Sequence, residues 1–216
     1  MVKLSQGYAG KKSLSRAAWN DGLVDIDVEK TLENVLESRL RTPEQVATFA
    51  MRRRGVAYAL LVDHSSSMNG FKLLLGAFIG SVLAYSASRV HDYCVLAFNT
   101  EVEILKHLRE RRDPESVVTS ILALDAEGYT DIYKALEAAR FELLSAGYEP
   151  RAILVTDAEW TAGESPLKVA PMFRELNVVC VPSKWVGFAK TIAELGRGSF
   201  TLIRSIEEVP EKLGFL

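Results

Sequence analysis

"LLVDHSSSMNG", Leu60 to Gly70, closes a run of apolar residues that begins at Val56. The run ends on one carboxylate, Asp63, followed by a histidine and three hydroxyls in a row, Ser65, Ser66 and Ser67. Asn69-Gly70 then turns the chain into a long uncharged stretch starting at Phe71. A buried strand, a polar loop and a helix in that order make the opening unit of an α/β sheet.

Outward from this stretch the same alternation repeats. Residues 56–62, 92–98, 151–156, 178–182 and 200–203 read as strands, mostly continuous apolar runs of the kind buried on both faces of a parallel sheet. Between them, Phe71–Arg89, Pro114–Ala123, Asp131–Ala146, Ser165–Leu176 and Phe188–Gly196 have helical length and spacing, and Ile206–Leu213 closes the chain. Val102–Leu105 follows the second strand too closely for a helical crossover, so it is predicted as an antiparallel edge strand. The expected fold is a doubly wound, mostly parallel α/β sheet with helices on both faces, a class that binds ligands at the carboxyl ends of its strands.

The first ~25 residues carry Gly7, Gly10, Gly22 and Lys11-Lys12 among scattered apolar residues, and read as an arm. Val28, Leu32, Val35, Leu36 and Leu40 then share one helical face, a short amphipathic helix that Thr42-Pro43 ends. Too short to be stable alone, that helix is expected to pack on the domain. The predicted division is residues 1–50 for arm and helix, and 51–216 for the α/β domain.

Composition excludes some partners. A net charge of -2 over 216 residues gives no bulk attraction for nucleic acid or anionic membranes, so neither is expected. Cys94 and Cys180 stand apart in apolar segments, which predicts reduced core thiols instead of a disulfide or a zinc site. Leu73–Ser88 is uncharged but diluted by Gly76, Gly80 and Ser81, and reads as a buried helix instead of a membrane span. The opening residues lack the apolar centre of a signal peptide, which points to the cytoplasm.

Chemistry concentrates at three strand ends. D-x-S-x-S at 63–67 places a carboxylate and two hydroxyls on alternate residues of a tight loop. "EGYTDIYKAL" puts Thr130 on a turn before a helix, and "AILVTDAEW" puts Asp157 directly after a strand. Asp63 by itself also fits a helix-capping acid. Together with Ser65, Ser67, Thr130 and Asp157 it makes a set of oxygen donors suited to a hard cation, Mg²⁺ first, with Mn²⁺ or Ca²⁺ as alternatives. Two carboxylates leave such an ion with a position for an acid from outside.

These three motifs resemble the metal-ion-dependent adhesion site of von Willebrand factor A domains, and the order of elements from ~56 to ~213 fits that fold. The resemblance implies strand order 3-2-1-4-5-6, with Asp63 and Asp157 flanking the metal and Ser65, Ser67 and Thr130 binding it. It also implies a non-catalytic module whose protein partner supplies a Glu or Asp. The sequence departs from the family pattern at Ser66 and Ala158, both usually Gly, and at His64. A second resemblance covers the arm: "YAGKKSLSRAAW", "VDIDVEKTLENVL" and "RRRG" are similar to the segment before this domain in magnesium-chelatase D subunits, which work with AAA+ ATPases. No Walker motif occurs in the chain, so that resemblance places any ATPase on another polypeptide, or makes this chain one domain of a longer protein.

Two other function classes fit less well. A Mg²⁺-dependent phosphohydrolase would also carry an Asp after its first strand, but Ser65 stands where a general acid is needed. An RNA-associated member of the family would be expected to show helical repeats that this chain lacks. Among neighbours of the site, His64 and Ser66 read as surface and turn residues. Trp160 fits either an exposed partner anchor or a side chain folded onto the domain. Arg52–Arg54 and Arg109, Arg111 and Arg112 read as solvated surface.

Overall fold

A computed structural model of the chain describes residues 24–26, 48–50, 56–89, 91–144, 146 and 149–213. The chain divides into two compact units. In the unit formed by Gly7–Arg54, β1 (Val24–Ile26) pairs antiparallel with β2 (Thr48–Ala50), Val24 opposite Ala50. Neither short strand is anticipated by the sequence pattern. The amphipathic stretch at 28–40, the basic arm and Arg52–Arg54 lie outside the described residues.

The unit that carries Gly55–Leu216 is built on six strands: β3 (Val56–Asp63), β4 (Asp92–Phe98), β5 (Val102–Lys106), β6 (Glu149–Thr156), β7 (Leu176–Cys180) and β8 (Arg197–Leu202). Their order is β5-β4-β3-β6-β7-β8, all parallel except β5, which runs antiparallel to β4 as predicted. This is the order 3-2-1-4-5-6. The crossover from β3 to its two neighbours on opposite sides opens a crevice at the carboxyl ends of β3 and β6.

Both faces of the sheet are covered, which is why its strands are apolar throughout. On one face Tyr58, Leu60 and Val62 of β3 pack with Leu75, Ile79 and Leu83 of α1 (Phe71–Ser88), Val117 and Ile121 of α2 (Pro114–Leu122), and Val209 of α5 (Glu208–Leu213). On the other, Ala57, Ala59 and Leu61 pack with Ile132, Leu136 and Leu143 of α3 (Ile132–Leu144) and Ile192 of α4 (Val186–Leu195). Alternate residues of one strand thus feed two cores. α1 is long and apolar enough by composition to cross a membrane, yet half of it is buried in this domain. Gly80 explains how closely it lies on the sheet: a Cβ there would come within 2.9 Å of Val62. Cys94 and Cys180 are free thiols buried in the second core, and burial pushes both up to about 12.

One predicted helix is absent. Ser165–Leu176 forms two short 3-10 turns, Pro166–Lys168 and Ala170–Met172, and Leu176 already opens β7. Pro171 has no N–H to donate, and its ring would strike the carbonyl four residues back, so the apolar spacing cannot continue as an α-helix. Other boundaries shift by one to three residues, with β8 starting at Arg197 and α5 at Glu208.

Candidate functional site

Asp63 is the last residue of β3 and Asp157 follows β6, so the adjacency of these strands brings the two carboxylates to one crevice. Both are fully buried. Hydrogen bonds join them through the serine loop. Asp63 Oδ1 accepts from Ser65 N at 2.9 Å and from Ser65 Oγ at 2.6 Å. Ser65 Oγ lies 3.1 Å from Ser67 Oγ, which donates to Asp157 Oδ1 at 3.2 Å. Four of the five predicted residues therefore form one continuous chain of oxygen atoms.

Thr130 reaches the same edge through its backbone. Its N–H donates to Thr161 Oγ1 at 2.9 Å, and its carbonyl accepts from Thr161 and Ala162 on the loop after Asp157. Two residues earlier, Gly128 accepts from Ser66 N at 3.0 Å, which ties this loop to the serine loop as well. Gly128 has φ of 71°, and a Cβ there would meet Thr100 Oγ1 at 2.9 Å, so a side chain would disturb the turn.

The electrostatics follow from burial. Asp63 is pushed up to about 6, mainly because its charge is taken out of water. Hydrogen bonds from Ser65 and Thr156 pull the other way, and the charge of Asp157 adds to the rise. Among the described residues no three His, Cys, Asp or Glu side chains gather as a metal-holding group. Beyond the ammonium of Lys72, which pairs with Asp157, the crevice offers two buried carboxylates that repel each other, plus neutral hydroxyls. That donor set fits a hard divalent cation, which favours oxygen and would offset the repulsion.

Sequence reasoning missed three contributors. Thr156 donates its hydroxyl to Asp63 Oδ2 and accepts from Ala158 N at 2.8 Å. Ser183 Oγ donates to the Asp157 carbonyl at 2.6 Å. Lys72, the second residue of α1, places Nζ 2.7 Å from Asp157 Oδ2 and 3.0 Å from the Ser67 carbonyl. The one signal for Lys72 was a cation in the first turn of a helix, where the macrodipole disfavours it.

His64 is buried instead of exposed, because its Nδ1 sits 2.9 Å from the Asp125 carbonyl while its backbone bonds Phe98 and Glu127. Ser66 is an exposed turn residue, as expected. Trp160 is folded onto the domain: its ring stacks on Phe188 at 6.0 Å and its Nε1 donates to the Ala162 carbonyl at 2.6 Å. Ala158 takes the left-handed conformation, φ 58°, where a glycine is the easier residue. Arg109 and Arg111 are exposed, while Arg112 turns inward to the Leu105 carbonyl and to Ser120 Oγ.

The whole arrangement can be set beside known proteins. Residues 3–183 match the family described as VWA domain containing CoxE-like protein. The chain belongs to the CoxE-like von Willebrand factor A family. Domains of this family are generally protein-interaction modules. Solved structures share the fold at low identity. BatB from Bacteroides thetaiotaomicron superposes with a TM-score of 0.60 at 16% identity, over 73% of this chain and 94% of its own. A von Willebrand factor type A protein from Catenulispora acidiphila gives 0.58 at 17%, over 73% of this chain and 40% of its own. This chain thus spans well under half of that protein. Proximal thread matrix protein 1 from the mussel byssus, described with a zinc-occupied MIDAS motif, gives 0.58 at 18%, over 73% and 44%. No curated protein is a significant match.

Proposed function

We propose that this CoxE-like domain is a divalent-cation-dependent protein-binding module. The carrying observation is the hydrogen-bonded chain Asp63–Ser65–Ser67–Asp157, which links two buried carboxylates through hydroxyls at adjacent strand ends. Asp63 and Asp157 would supply the charge, and Ser65, Ser67 and Thr130 neutral oxygen. A bound Mg²⁺ would supply a coordination position for a Glu or Asp of the partner, since two carboxylates leave its shell incomplete. The zinc-occupied motif of the mussel protein supports the metal-binding part of this reading.

Exposed apolar side chains stand next in sequence to the loops of the site. Phe71, Leu74 and Tyr129 are 54%, 55% and 67% exposed, on the helix turn after Asn69-Gly70 and directly before Thr130. Exposed large side chains beside a charge-recognising centre are the usual anchors of a protein interface. The partner class we favour is a AAA+ ATPase of the magnesium-chelatase or MoxR type, from the resemblance in the arm. The role of this chain is then non-catalytic.

The test is binding of the full chain to a purified ATPase of that type from the same genome, in Mg²⁺ and in EDTA. EDTA and Thr130→Ala should each weaken binding on the order of tenfold, and Tyr129→Ala should do so with metal affinity unchanged. Binding indifferent to EDTA and to Thr130→Ala would place recognition elsewhere.

A further inference from the structure

Asp157 divides its two oxygens. Oδ1 accepts from Ser67 Oγ and from Glu159 N, both within the crevice. Oδ2 takes the ammonium of Lys72, which also holds the Ser67 carbonyl. Ser67 and Asp157 are two of the residues assigned to the metal, so one ammonium already binds atoms from both. The pair is lopsided in mobility as well: the Lys72 side chain is 30% exposed, while that of Asp157 is 0% exposed. The lysine can swing into water and the carboxylate cannot.

Nothing in the helix accounts for Lys72. A cation at the second position of α1 sits at the positive end of the helix, and no acid occupies that first turn. The carboxylate across the crevice holds it there. Two buried acids with no cation would repel each other at considerable cost, and Lys72 supplies one positive charge against them.

We propose that Lys72 is a built-in cation that caps Asp157 in the metal-free protein and must swing out for a divalent ion to bind. The inference rests on the metal reading above and deepens it, since Lys72 then sets how strongly the site holds its ion. A binding-competent state that is only partly populated lowers apparent affinity by that fraction. The domain is thereby kept folded without metal and responsive only at adequate metal concentration. Once displaced, the ammonium stands at the rim where a partner's acid arrives.

Two measurements on the full chain test this, with Mn²⁺ as the probe. By electron paramagnetic resonance, Lys72→Met should bind Mn²⁺ roughly two- to fivefold more tightly than wild type, the range a partly exposed ion pair supplies. Lys72→Arg, which keeps the charge, should stay near wild type. In EDTA the Met variant should melt at a lower temperature than wild type, and saturating Mn²⁺ should close the gap. If Lys72→Met fails to fold, wild type still decides: acylation of the Lys72 amine, read by mass spectrometry, should speed up severalfold on adding Mn²⁺, while Lys134 stays unchanged. Equal or weaker Mn²⁺ binding by Lys72→Met, or an unchanged acylation rate in a protein that binds Mn²⁺, overturns the role of Lys72 and leaves the metal site standing. Absence of Mn²⁺ binding in both wild type and Lys72→Met overturns both.

Discussion

In EDTA the wild-type protein is expected to lose stability as pH rises through the range in which Asp63 ionises. The carboxyl moves from 3.8 to about 6 on folding, so the folded state holds its proton more tightly than the unfolded one. The sign follows: this contribution is full below 3.8, falls as pH climbs, and is gone above about 6. Two pH units correspond to about 3 kcal/mol, of which roughly half falls between about pH 5 and about pH 7.5. Urea midpoints for wild type and Asp63→Asn across that range isolate it, because exposed carboxylates elsewhere titrate alike in both. The difference between the two proteins should change by about 1–2 kcal/mol over that interval. Parallel profiles would mean that Asp63 does not feel its burial.

The second large effect concerns the loop that carries the hydroxyls. Met68 ends the 3-10 turn Ser66–Met68 and is fully buried. Its terminal methyl reaches within 2.8 Å of where a side chain at Gly76 would begin, so it pins the serine loop beneath α1. Met68→Ala should cost about 3 kcal/mol, the lost apolar contact plus the cavity left behind. It should weaken metal binding too, since Ser65 and Ser67 lose their anchor. Met68→Leu, close in volume, should stay within about 1.5 kcal/mol of wild type. Chemical denaturation with Mn²⁺ titration in parallel measures both, and a loss under about 1 kcal/mol for the alanine variant would show that the loop is held by its hydrogen bonds instead.

The sheet was legible because its strands are buried on both faces. A run such as Val56–Val62 has few other readings, and the crossover order follows once the spacing between runs is known. Asp63 and Asp157 were legible for a related reason, as acids standing directly after apolar strands. Features that depend on a distant partner were not. Ser165–Leu176 has helical apolar spacing, and only the weight of Pro171 decides against it. His64 is polar and sits in a loop, yet the Asp125 carbonyl, 61 residues away, gives its ring a buried place. Lys72 meets Asp157 across 85 residues, a distance over which no local pattern reports. Thr156 was visible beside Asp157, but which neighbour its hydroxyl would serve depends on β3 lying next to β6.

The central claim is that the crevice between β3 and β6 holds a divalent cation on Asp63, Ser65, Ser67, Thr130 and Asp157. Titration calorimetry of wild type and Asp63→Ala with Mg²⁺ and with Mn²⁺ tests it most directly. Wild type should bind one ion weakly, on the order of 10⁻⁴–10⁻³ M, because only two carboxylates face it and Lys72 must yield. Asp63→Ala removes half of that negative charge and should bind neither metal detectably. Equal binding by the two proteins would contradict the account.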